Sequence, residues 1–157
     1  AVVSVGMIEA GTRNNIIPEE AMMMGTIRTF DPELRKEIYN EIRQIAKGVE
    51  TATGANIKVE FDVGGFYPVT YNNIALGERM KQSLIEATNG NFAEITRRTG
   101  AEDFSYFSQE IPGLYIFLGV NDPGRLEQAG NHSPYFTVND DALDEGLKSL
   151  VYMTIDY

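Results

Sequence analysis

The chain has 157 residues, 43% of them hydrophobic and 23% charged, an ordinary globular composition able to fill a sizeable core. Thirteen basic against 23 acidic residues leave a net charge of −10, which opposes binding to nucleic acid or to an anionic membrane surface. There is no cysteine, hence no disulfide framework and no thiolate metal site, and no apolar run approaches the ~20 residues of a membrane span.

A cytoplasmic location is the expectation that fits this composition. The chain opens on Ala1-Val2-Val3-Ser4-Val5, already in strand pattern, with no methionine and no leader. It reads as cut from something longer. Residues 2–9 form a first strand and residues 21–30 a second, its expected partner. Between them Asn14-Asn15-Ile16-Ile17-Pro18 is loop, and Met22 to Met24 serve as flexible core fillers. A helix follows over 32–53, with Asp31 as its cap and Pro32 in the first turn. Leu34, Ile38, Ile42, Ile45, Val49 and Ala52 make one helical stripe, and Gly54 supplies the stop. Ile57, Val59, Phe61 and Val63 alternate with polar residues as in a half-buried strand.

Strand, strand, helix, strand is the second half of a ferredoxin-like unit, and Gly64-Gly65 before Tyr67-Pro68 marks a hinge. Beyond it lie a helix over 73–89, a short strand over 92–96 and a tight turn opening a short helix at 100–107. The unbroken apolar run 114–118 suits a strand covered on both faces. A loop over 119–131 leads to His132, and Asp140 or Asp141 caps a final helix. The fold class is therefore α/β, in two parts: residues 1–67 and residues 68–157.

Four groups carry chemistry, each with a plain structural alternative. Asn15 can be a turn residue, or a hairpin can bring it to the same end of the sheet as Arg28, where amide and guanidinium hold an oxygen anion. Glu102 and Asp103, just after Gly100, are helix-capping acids or part of a site wall. His132 is the only histidine, at the C-terminal edge of a strand-loop unit, where open α/β sheets bind ligands. Neutral imidazole binds zinc, but a catalytic zinc takes three protein ligands and this chain offers one histidine and no cysteine.

Asn15-Ile16-Ile17-Pro18, Thr26-Ile27-Arg28-Thr29-Phe30-Asp31, Gly100-Ala101-Glu102-Asp103-Phe104 and His132-Ser133-Pro134-Tyr135-Phe136 occur in this order. Together they resemble the dizinc amidohydrolases and peptidases that include aminoacylase and carboxypeptidase G. The hippurate-hydrolase and auxin-conjugate-hydrolase branch, which acts on N-acyl amino acids, looks closest. The resemblance covers essentially the whole chain but only the C-terminal part of a family member. It implies a ferredoxin-like lid (β-β-α-β) over residues 1–67, lacking its first strand and helix, and the closing part of a zinc-hydrolase α/β catalytic domain over 68–157. It further implies two zinc ions, or other divalent metals, with His132 as the last ligand. Asn15 and Arg28 match lid residues that hold the oxyanion or the substrate carboxylate, while Gly100, Glu102 and Asp103 match the substrate wall. The lid implies a homodimer. The other ligands and the general base are expected upstream, so these 157 residues alone are expected to be inactive. Tyr67 before Pro68 stands where carboxypeptidase-like members carry an arginine, which favours acyl-amino acids as substrates. A binding and dimerisation module, or a non-catalytic homologue, are the alternative readings.

Overall fold

A computed structural model of the protein describes residues 1–125 and 127–157. Its elements are β1 (Val2–Ala10), β2 (Ala21–Arg28), α1 (Pro32–Thr53), α2 (Ile74–Ala87), α3 (Phe104–Glu110) and α4 (Asp141–Asp156). They fall into two compact units, Ala1–Val69 with Arg98–Ser105, and Thr70–Arg97 with Tyr106–Tyr157. No helix among the described residues is long and apolar enough to cross a membrane.

In the first unit β1 and β2 pair antiparallel, from Val2 opposite Arg28 to Ala10 opposite Ala21. The register shifts between Val5 and Met7, where Gly6 sits in a bulge. Gly25 lies opposite Val5, and a Cβ there would stand 2.2 Å from the Ser4 carbonyl oxygen. Backbone cannot give way as a flexible side chain can, so Gly25→Ala is expected to destabilise the unit by about 2 kcal/mol or more. A thermal midpoint equal to that of the wild type would refute the close approach.

The α1 ends follow the local code. Asp31 accepts from the Glu33 and Leu34 N–H groups, and Gly54 closes the helix at φ 76°. The stripe is only partly covered: Leu34, Ile38 and Ile42 are half-buried, whereas Ile45 and Val49 are exposed.

Residues 57–63 are not a strand. Alternating pattern specifies an extended chain, but a strand also needs a neighbour to complete its hydrogen bonds, and none flanks this run among the described residues. The run docks on α1 through side chains instead. The Ile57 N–H donates to Glu50 Oε1 at 2.9 Å, Tyr39 stacks on Phe61 at 3.9 Å between centroids, and Tyr39 Oη donates to Asp62 Oδ1 at 2.6 Å. The Arg35 guanidinium lies 3.6 Å over the Phe66 ring. Gly64 and Gly65 then turn the chain at φ 90° and 116°, conformations closed to most side chains.

Burial, and then the bond and the charge of Asp62, push the Tyr39 hydroxyl above its ordinary value. A raised folded-state value contributes stability that is complete below the unfolded value near ~10 and is lost as pH rises through the folded one. The thermal midpoint is therefore expected to fall above pH ~10 in the wild type and less so in Tyr39→Phe. Identical pH profiles would remove Tyr39 from the account.

The second unit is built on α2 against α4. The two helices pack together, and Met80, Leu84 and Ala87 on α2 and Ala142 and Ser149 on α4 are buried. Ser83 Oγ donates to Asp156 Oδ2 at 2.6 Å, and Arg79 donates to the Asp156 and Tyr157 carbonyl oxygens. The expected strands at 92–96 and 114–118 are absent as strands. For 114–118 the reason is visible: the Asn72 amide takes the strand neighbour's place, accepting from the Tyr115 N–H at 2.7 Å and donating to its carbonyl at 2.9 Å. Gly146 on α4 leaves room for Leu118, whose Cδ2 would lie 2.8 Å from a Cβ there. For 92–96, as for 57–63, no ladder partner stands alongside among the described residues.

Among the described residues the fold is thus mixed α/β with one two-stranded sheet and four helices. The expected order strand, strand, helix is present as β1, β2 and α1, and the fourth expected element, 57–63, is not a strand. The α4 cap also differs: Asp140 makes no side-chain cap bond, and Asn139 Oδ1 accepts from the Asp141 N–H at 3.1 Å instead. The loop expected over 119–131 is seen on both sides of Leu126, which lies outside the described residues.

Candidate metal and substrate site

His132 sits in a tight turn of the second unit. The Ser133 N–H donates to the Gly130 carbonyl at 3.2 Å, the Phe136 N–H to the Ser133 carbonyl at 3.1 Å, and the Tyr135 N–H to Ser133 Oγ at 3.2 Å. His132 itself has φ 73°, one of three non-glycine residues in the left-handed region among the described residues. Histidine tolerates that region better than most residues, and such strain gathers at functional positions. The imidazole is exposed, at the end of a loop that closes on itself. There the Gln128 side chain accepts from the Asp122 N–H at 3.0 Å and donates to the Asp122 carbonyl at 2.7 Å. His132 does not follow a strand, because 114–118 is not one; the turn, not a sheet edge, presents the ring.

Arg28 and Asn15 are not at the same end of the sheet. Asn15 lies in the exposed connection between Ala10 and Ala21, whereas Arg28 pairs with Val2 at the far end. Seven steps along an antiparallel strand separate those ends by about 23 Å. A hairpin loop and the last residue of its second strand are necessarily opposed.

Arg28 is instead brought to the Gly100 segment within the first unit. Its Nη1 donates to the Thr99 carbonyl at 2.7 Å. Glu102 is half-buried, and its Oε1 lies 4.0 Å from where a Gly100 Cβ would be. Asp103 is exposed immediately before α3. Ser105 is fully buried, and its Oγ and N–H both donate to the Glu102 carbonyl, at 2.5 and 3.1 Å. Ser105 and Gln128 are shaping residues that sequence reading did not single out. A serine in a first helical turn was a weak signal for the first, and nothing local marked the second.

The donor set bears on the metal. Among the described residues no three His, Asp or Glu side chains come together as a metal site, and the chain has one imidazole. His132 fits one ligand of a metal, and the described residues do not form a complete site. A surface concavity of the second unit, lined by residues that include Asn89, Asp140, Asp144 and Lys148, contains none of the predicted site residues.

Comparison with known proteins identifies the family. The chain matches peptidase family M20/M25/M40 over residues 3–156. It is similar to thermostable carboxypeptidase 2 of Saccharolobus solfataricus, 34% identical over 99% of this chain and 39% of that protein. N-acetyldiaminopimelate deacetylase of Lactococcus lactis subsp. cremoris is 33% identical over 96% of this chain and 38% of its own length. Among solved structures, Bacillus subtilis YXEP, described as a dinuclear metal binding peptidase from the M20 family, superposes with a TM-score of 0.77 at 26% identity. That match covers 99% of this chain and 42% of the Bacillus chain. These three relatives are a carboxypeptidase, a deacetylase and a peptidase, and none is a hippurate or auxin-conjugate hydrolase. The chain thus spans about two fifths of the length of the relatives it matches, and it belongs to peptidase family M20/M25/M40.

Proposed function

We propose that the whole protein is a divalent-metal-dependent amidohydrolase that cleaves the amide bond of N-acyl amino acids, with His132 as the metal ligand supplied by this chain. The observation that carries the reading is His132 itself, an exposed imidazole held at φ 73° by a network of turn bonds inside a chain of this family. When bound, two divalent ions polarise the scissile carbonyl and lower the pKa of a bound water.

The chain's own residues position the substrate. Arg28 receives the substrate carboxylate through its planar fork, and Asn15 donates to the developing oxyanion. Gly100 and Glu102, with Asp103 beside them, line the acyl-amino acid. Asn15 and Arg28 stand at opposite ends of the hairpin, so one copy does not bring both to one small substrate. A homodimer through residues 1–67, acting as lid, resolves this, because Asn15 of one copy then serves the site of the other. Among the described residues β1 and β2 form ladders only with each other, and unpaired strand edges invite such pairing. Residues 68–157 belong to the catalytic domain in this reading.

The test is hydrolysis by the full-length protein of N-acetyl amino acids against peptides with a free C-terminus. Release of free amino acid from the acyl substrates, abolished by a chelator and restored by zinc, is the expected result. Exclusive cleavage of C-terminal residues from peptides would move the assignment to the carboxypeptidases, and no hydrolysis of either class would favour a non-catalytic homologue.

A further inference from the structure

Arg28 ends β2, and its guanidinium donates to the Thr99 carbonyl at 2.7 Å. Residues 91–100 form no helix or strand, so no ladder holds that carbonyl. Residues Arg98–Ser105 are nevertheless compact with β1, β2 and α1, although the chain on either side of them belongs to the second unit. The segment is fixed at both ends: by Arg28 at Thr99, and by buried Ser105, which donates twice to the Glu102 carbonyl. Between these two anchors lie Gly100 and Glu102.

We propose that Arg28 is a positioning residue for the Thr99–Glu102 segment, holding the substrate wall through the Thr99 carbonyl. A guanidinium carries five N–H donors in a fixed fork, so one bond to a carbonyl leaves others to receive an anion. Lysine offers a point charge on a flexible stem and does not reproduce that geometry. The inference rests on the proposed substrate wall for its functional meaning, but the anchoring has a readout of its own.

That readout is trypsin cleavage after Arg97 or Arg98, next to the anchored carbonyl, followed by mass spectrometry on the folded full-length protein. Losing an exposed hydrogen bond to a charged group is expected to speed cleavage there about three- to tenfold in Arg28→Ala and Arg28→Met. Arg28→Met keeps the stem, so it serves where the alanine variant melts early. Arg28→Lys is expected to restore most of the protection while still raising KM, separating wall position from carboxylate binding. Cleavage at the wild-type rate in both truncated variants overturns the anchoring, whatever the activity. Faster cleavage in a protein that hydrolyses no acyl-amino acid keeps the anchoring and removes the proposed function.

Discussion

Replacing His132 in the full-length protein with glycine or alanine is expected to lower metal content from two ions to one or fewer and to reduce hydrolysis at least ~10²-fold. Even the loss of a group that merely orients a ligand costs 10–100-fold in metal affinity or activity, so losing the ligand sets that as a floor. The pair of variants separates ligation from folding. His132 has φ 73°, which glycine adopts freely and alanine does not. His132→Gly therefore keeps the turn that the Gly130 and Ser133 carbonyls define, and its thermal midpoint is expected to match the wild type measured without metal. Metal content and activity unchanged in His132→Gly would make the histidine a turn residue.

Asn15→Ala is expected to lower kcat by roughly 10²–10³, the cost of removing one oxyanion donor, with little change in KM. Stability is expected to move by less than about 0.5 kcal/mol, because Asn15 is exposed in the connection between β1 and β2. The contrast is the point: a turn residue affects folding before turnover, and a catalytic amide does the reverse. A kcat within threefold of the wild type would return Asn15 to its plain reading as a turn residue.

Helices and their ends were legible because their signals are local. Asp31, Pro32 and Gly54 bound α1 where the code for caps places its ends, and the helices expected over 73–89 and after Asp140 or Asp141 are present as α2 and α4. The strands at 57–63, 92–96 and 114–118 were not, because a strand is a relation between two segments. Ile57 and Tyr115 have their backbone partners, but Glu50 and Asn72 supply them from side chains. Period-two patterning reports only which face is wet.

The site divides along the same line. The order of Asn15, Arg28, Gly100 and His132 was readable, and so was the family. Their mutual placement was not: the register sets Asn15 and Arg28 a sheet length apart, and the bond from Arg28 to Thr99 ends on a carbonyl that every residue possesses. The left-handed turn at His132 was equally hidden, since it lies in backbone angles and not in residue type.

The most direct test of the central claim is anomalous diffraction at the zinc edge from crystals of the full-length protein. The account predicts a zinc ion with a His132 ring nitrogen at about 2.0–2.1 Å. A dinuclear centre with both ions fully coordinated and His132 turned away to solvent would contradict it.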